Sequence, residues 1–301
     1  MRIVSLLPSA TEIVCALGAR DELLGRSAEC DYPAGVTELP VVMRAKTLDG
    51  DRPSAEIDAR VRRMRGTGES LYELDLPLLR TLRPDLIFTQ DLCGVCSVTG
   101  EEVVAACTAA GVEPEIVALS PKTLDEVWTT VETVGDAIGR PVNALRLASA
   151  LRRRASATPG SAPARVAVVE WLDPPILAGL WTPSMVAAAG GVALGPAPGQ
   201  PGKRTTWPEV ASLRADLLVL SPCSFSVERT RSELRDSSLA AEVAKAAPAA
   251  RTYLADEAYF SRPGPRLADG IELLRSLLKG VEGPFPLPVA RFGGSLGEVA
   301  A

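Results

Sequence analysis

The chain contains no histidine. That absence removes several chemistries at once. Ser-His-Asp and Cys-His catalysis, His-ligated zinc hydrolysis and His-ligated haem or corrinoid cannot be built within it. A metal held here must be taken by thiolate, carboxylate, hydroxyl or backbone oxygen. Long runs of one charge are also missing: 32 basic and 37 acidic residues leave a net −5 spread along the chain. No basic stripe is visible to neutralise phosphates, which argues against nucleic acid and against an anionic membrane as partners. Arg152-Arg153-Arg154 reads as a solvated helix end. Nowhere does an apolar stretch reach the roughly 20 residues that span a bilayer, so no membrane insertion is expected. The first apolar run, Ile3 to Leu7, is cut short by Pro8, unlike a secretory signal. No lipoprotein-type cysteine follows, because Cys15 sits in a helical pattern. These absences predict a cytoplasmic protein whose six cysteines are thiols or metal ligands rather than disulfides.

What is present describes a folded α/β protein. The 301 residues are 47% hydrophobic and 23% charged, enough for two cores. Ile3-Val4-Ser5-Leu6 reads as a buried strand. Pro8 to Glu12 turns into a helix, with Ser9 as N-cap and Glu12 at capping-box spacing. Leu86 to Thr89 is a continuous apolar strand, followed by a Val- and Ala-rich helix over 101–110 and a strand over 115–118. Strand, helix, strand is the order of a parallel sheet. From Thr123, Leu124, Val127, Val131, Val134 and Ile138 form one helical stripe. Gly139 and Pro141 interrupt it, and helical character resumes to Leu151. About 30 residues of helix would span on the order of 45 Å, which suits a stiff connector. A Ser-, Pro- and Gly-rich stretch over 155–164 marks a boundary.

The second half repeats the first in outline. Arg165-Val-Ala-Val-Val opens like Arg2-Ile-Val, and Leu213-Arg-Ala-Asp-Leu-Leu-Val-Leu220 parallels Leu82-Arg-Pro-Asp-Leu-Ile-Phe-Thr89. Duplication about one helical connector resembles the class III periplasmic binding proteins, which bind siderophores, haem and vitamin B12. The phrases Arg2-Ile-Val-Ser-Leu-Leu-Pro-Ser-Ala-Thr-Glu, Leu17-Gly-Ala-Arg-Asp-Glu-Leu-Leu-Gly and Leu82-Arg-Pro-Asp-Leu-Ile are similar to the cobalamin-binding branch. The resemblance covers Arg2 to Leu278. It implies two lobes, each a mainly parallel sheet flanked by helices, joined by one long rigid helix. The corresponding divisions are a lobe over 1–122, a connecting helix over 123–158, a lobe over 159–283 and a tail over 284–301. It further implies a small-molecule or cofactor ligand held between the lobes. Without a secretion signal, an ABC-transporter partner is disfavoured.

Four cysteines stand in loops: Cys30, Cys93, Cys96 and Cys223. Three follow strands whose carboxyl ends should meet ligand. Four converging thiolates would hold an iron–sulfur cluster or, alternatively, zinc; a redox dithiol at Cys93-x-x-Cys96 or four unrelated thiols are the other readings. Cys15 and Cys107 fall in helical patterns and read as buried small hydrophobes. Trp171 and Trp181 flank a Pro-rich loop where aromatic walls would suit a planar cofactor. Tyr259, Arg262 and Arg266 lie in a Pro-rich loop before an amphipathic helix, a setting for carboxylate or phosphate. Ser9 resembles part of the family's first-lobe ligand loop. The expected function is a binding protein for a corrinoid or similar metal-containing cofactor, with a thiolate centre beside it. The alternative is an iron–sulfur redox protein or enzyme, or a metal chaperone or sensor.

Overall fold

Two sheets organise the chain. The computed structural model describes residues 1–47, 52–91, 98–156, 163–246, 251–281 and 285–292. It separates into a first unit of Met1–Arg52, Glu56–Pro121 and Glu126–Ala150 and a second of Pro53–Ala55, Lys122–Asp125 and Leu151–Ala301.

In the first unit, strands β1 (Ile3–Ser5), β2 (Leu23–Ser27), β3 (Val41–Ala45), β4 (Tyr72–Leu74), β5 (Leu86–Thr89) and β6 (Glu115–Ala118) form one sheet in the order β4-β3-β2-β1-β5-β6. All neighbours are parallel except β3 and β4. Helices α1 (Pro8–Ala16), α2 (Ser54–Thr67), α3 (Leu76–Leu82) and α4 (Gly100–Ala110) accompany it. The central strands β1 and β5 are buried at every residue, as expected for parallel strands covered on both faces. Val4, Leu79, Ile87, Val103 and Cys107 share one core. The reading of Ser9 as N-cap is corrected. α1 starts two residues earlier with Pro8 in its first turn, and Leu7 caps it without a side-chain hydrogen bond. Proline suits that place because its missing N–H would find no helical partner there. Ser9 and Glu12 are buried inside the helix instead.

The second unit's sheet contains β7 (Arg165–Leu172), β8 (Pro175–Leu177), β9 (Val192–Ala193), β10 (Lys203–Arg204), β11 (Leu217–Leu220), β12 (Arg251–Ala255) and β13 (Val289–Arg291). Its order is β10-β8-β7-β11-β12-β13, with β9 beside β7. β7, β11 and β12 run parallel. Helices α7 (Thr182–Ala188), α8 (Trp207–Ser212), α9 (Val227–Asp236), α10 (Leu239–Ala246) and α11 (Leu267–Leu278) complete the unit. Part of the segment 284–301 is no loose tail, because Ala290 pairs antiparallel with Leu254 in β12.

The internal duplication is visible atom by atom. Arg2 donates its backbone N–H to Asp85 Oδ2 at 2.7 Å, and Arg165 does the same to Asp216 Oδ2 at 2.7 Å. Asp85 and Asp216 each return a backbone bond to the same arginine, both at 2.8 Å. The Arg2 and Arg165 guanidinium groups reach the carbonyls of Leu82 and Leu213. Arg83 (φ 42°) and Arg214 (φ 50°) are both left-handed. One construction thus starts each pair of central strands.

The segment read as a single stiff helix is two helices of 14 residues, α5 (Leu124–Ala137) and α6 (Pro141–Arg154). The apolar stripe is as spaced, with Val127, Val131 and Val134 fully buried. The interruption at Gly139 and Pro141 is a complete break: Gly139 takes φ 69°, and Pro141 has no N–H to continue the ladder. A Cβ added to Gly135 would lie 2.1 Å from Ala144 Cβ. Nine residues of continuous helix would separate those positions by about 13.5 Å, so the chain has turned back on itself.

Candidate functional site

Sheet order places a candidate site in the first unit before any side chain is considered. β2 and β5 lie on opposite sides of β1, so the chain changes direction there, and open α/β sheets receive ligands at the carboxyl ends beside such a point. A concavity of about 50 Å³ is found at this place, lined among others by Pro8 after β1, Ser27 and Glu29 at β2, Met43 of β3, Tyr72 of β4 and Gln90 after β5. Beneath it the chain is closed. Ser5 Oγ donates to the Leu7 carbonyl at 2.9 Å, and Thr11 Oγ1 donates to Cys30 Sγ at 3.0 Å. A larger trough of about 460 Å³ among Arg52, Glu56, Ala59, Arg60 and Arg63 follows one face of α2. Its charges are internally matched in part, by an Arg52–Glu56 ion pair.

The second unit gathers chemistry at the same kind of edge. Trp171 ends β7, Cys223 and Phe225 follow β11, and Glu257 follows β12. Backbone bonds tie these ends together: Cys223 N–H to the Glu170 carbonyl at 3.0 Å, and Glu257 N–H to the Phe225 carbonyl at 3.3 Å. Trp171 meets Phe225 edge-on, with ring centroids 5.5 Å apart. The Arg229 guanidinium lies 4.1 Å from the Phe225 ring centre, a close cation–π distance. Trp171 Nε1 is buried without a hydrogen-bond partner among the described residues. Arg262 Nε donates to Glu257 Oε1 at 2.6 Å, with side chains 12% and 9% exposed. The Cys223 thiol donates to Ser261 Oγ at 3.5 Å. Arg266, the N-cap of α11, stands 5.4 Å from the Tyr259 ring centre. Burial raises the Tyr259 phenol above its ordinary pKa, against a partial lowering by Arg266.

The residues singled out from sequence divide by this geometry. Trp171, Tyr259, Arg262 and Arg266 are partly exposed near the ends of β7 and β12. Trp181 is 5% exposed and donates Nε1–H to the Phe260 carbonyl at 2.7 Å, so it packs its own unit. The Pro- and Gly-rich loop 195–202 is pinned: Leu180 donates to the Gln200 carbonyl at 2.6 Å and accepts from Gly199 at 3.0 Å. Gly179 and Gly202 permit that approach, since a Cβ on either would fall within 2.5 Å of loop backbone or of Glu170. Met43, Tyr72, Phe225, Arg229 and Glu257 escaped the sequence reading. Their one signal is position beside a strand end, which sheet order alone reveals.

The four-cysteine centre finds no support. Cys30 is fully buried and receives the Thr11 hydroxyl, while Cys223 pairs with Ser261. Cys93 and Cys96 lie outside the described residues. Among the described residues no three His, Cys, Asp or Glu side chains gather as a metal site, and neither iron–sulfur cluster nor zinc is supported. Cys107 is buried, and burial raises its thiol pKa. Cys15 is half-buried rather than enclosed, its thiol pushed up to about 11 mainly by burial.

The sheets and helices have the fold of the class III periplasmic binding proteins. A periplasmic haem-binding protein from Pseudomonas aeruginosa matches with TM-score 0.69 and 19% identity over 97% of this chain and 98% of its own. The periplasmic vitamin B12-binding protein of Vibrio cholerae matches with TM-score 0.61 and 20% identity over 94% and 98%. A Saccharomonospora viridis protein of an ABC-type Fe3+-hydroxamate transport system matches with TM-score 0.64 and 18% identity over 93% of each chain. The cobalamin branch is thus one of several with this fold. No family model and no curated protein matches the chain. The cytoplasmic expectation is corrected by these comparisons, since matching proteins are periplasmic. It rested on the apolar residues Ile3 to Leu7, and β1 is the central strand of a sheet. Those residues report on folding rather than on location. No helix among the described residues is long and apolar enough to cross a membrane.

Proposed function

We propose that this chain binds a metal-containing small molecule, a corrinoid, haem or ferric siderophore, and does not transform it. The supporting observation is the collection of partly exposed groups at the carboxyl ends of β7, β11 and β12: Trp171, Cys223, Arg229 and Arg262, with Trp171 and Arg229 set against the fully buried Phe225. The Trp171 ring can meet a large planar or apolar surface, and arginines donate to carboxylate, amide or hydroxamate oxygens. A chain without histidine offers no imidazole, so a ligand whose metal is already held by its own donors suits it best, and a corrinoid is the preferred class. Such a binder acts outside the cytoplasm and passes its ligand to an ABC-type transporter.

The test is titration of the purified chain with cyanocobalamin, haemin and a ferric hydroxamate, followed by tryptophan fluorescence and visible absorbance. Saturable quenching at one equivalent is expected for one ligand class, and Trp171→Phe should diminish it. Failure of all three to bind would defeat the reading.

A further inference from the structure

The three consecutive arginines that read as a solvated helix end are separated by the helix that carries them. Arg154 turns inward to α11, with Nη2 2.5 Å from Asp269 and Nε 2.8 Å from Glu272. Arg152 and Arg153 point to solvent. They join Arg146, Val142, Leu145 and Ser149, all exposed. At about 100° per residue these six positions fall within an arc of about 120°. Ala144, Ala148 and Leu151 are buried and occupy the opposite side. Val142 is 58% exposed and Leu145 55%, unusual for large apolar side chains on a helix that has a core face available. α6 contains no acidic residue, and Arg146 and Arg153 have no ion pair among the described residues.

We propose that this outer face of α6 rests on an anionic lipid surface. Val142 and Leu145 give an apolar patch at the amino-terminal half, with the small, uncharged Ser149 one turn beyond. Arg146 and Arg153 give guanidinium groups whose aliphatic stems lie along such a face while the charges reach lipid phosphates. A protein partner is disfavoured because the face contains neither Trp nor Tyr, which anchor most protein interfaces. A fluid anionic surface needs no shape match. Contact is peripheral, since no helix among the described residues crosses a membrane, and it is independent of ligand identity.

The experiment is co-sedimentation of the whole chain with vesicles of phosphatidylcholine alone, or of phosphatidylcholine and phosphatidylglycerol in equal parts. Binding only to the anionic vesicles is expected, released as salt shortens the screening length from about 10 Å towards 3 Å. The double variant Arg146→Glu, Arg153→Glu should weaken binding at least about thirtyfold, and Leu145→Glu should weaken it too. Arg62→Glu, Arg63→Glu, both exposed on α2, should change binding little. Circular dichroism melting shows that each variant is folded. No binding to anionic vesicles, or equal losses from the α2 and α6 pairs, would overturn the proposal.

Discussion

Gly135→Ala separates a continuous helix from the folded-back pair by the sign of its effect. In a straight helix interior, replacing Gly by Ala stabilises by roughly 1 kcal/mol, because the backbone loses freedom in the unfolded state. In this structure the new Cβ would stand 2.1 Å from Ala144 Cβ and 3.3 Å from the Arg140 carbonyl. Carbon atoms pack best at about 3.5–4.0 Å. The helices cannot part freely, because Arg140 N–H bonds the Gly135 carbonyl at 2.6 Å. Overpacking of this kind costs about 1–3 kcal/mol, which outweighs the propensity gain in most of that range. For a net cost of about 1 kcal/mol, the middle of that range, thermal melting should therefore move down by about 2–4 °C in a unit of this size. Ala144→Gly removes the opposing methyl. The double variant Gly135→Ala, Ala144→Gly should be more stable than the two single changes add up to, a positive coupling in a double-mutant cycle. A higher melting temperature for Gly135→Ala alone would refute the folded-back arrangement.

Trp181→Phe keeps the packing but leaves the Phe260 carbonyl without its donor, and urea unfolding should show a loss of about 1–3 kcal/mol. Arg262→Ala strands the buried Glu257 carboxylate, an expected loss of about 3–5 kcal/mol, and the joint change Arg262→Met, Glu257→Met should recover much of it; equal losses would mean the pair is not a unit. Asp85→Ala and Asp216→Ala should each destabilise their own unit by a similar amount, while leaving ligand titration curves unaltered in protein that remains folded. Glu272 has its pKa lowered chiefly by the Arg154 hydrogen bond. Its folded value lies below its unfolded one, so the stabilisation is present above about pH 4.3 and is lost as pH falls through the folded value. Arg154→Ala should remove that acid-limb dependence from a plot of stability against pH, by a small amount because both side chains are partly exposed.

Much of the frame is legible in the residues because it depends on local pattern. β5 and β11 occupy the expected apolar runs and are buried at every residue, since buried parallel strands need continuous hydrophobicity. The match of Leu82-Arg-Pro-Asp-Leu to Leu213-Arg-Ala-Asp-Leu reports a real shared construction, because Asp at that place bonds the arginine that opens the first strand of each unit. The helix break at Gly139 is legible too, but not its consequence. Whether two helices continue or fold back is decided by the Gly135–Ala144 contact, and helical periodicity carries no information about contacts across a turn. The site is less legible for a similar reason. A Cys-rich pattern suggests convergence, whereas burial of Cys30 against Thr11 depends on where α1 begins. Trp181 reads as a cofactor wall until its N–H is seen bonded to Phe260.

The two copies of the duplicated construction differ in a way that bears on function. At their amino ends the central strands are built alike, down to the 2.7 Å aspartate bonds and the left-handed arginines. At their carboxyl ends they diverge. β5 leads into Thr89 and Gln90, whereas β11 leads into Ser221, Pro222, Cys223 and the Trp171–Phe225–Arg229 stack. A feature that only closes a fold has one good solution, and the same short sequence supplies it twice. Among the described residues the Trp171–Phe225–Arg229 arrangement has no counterpart after β5, so the second copy carries chemistry that closing a sheet does not require.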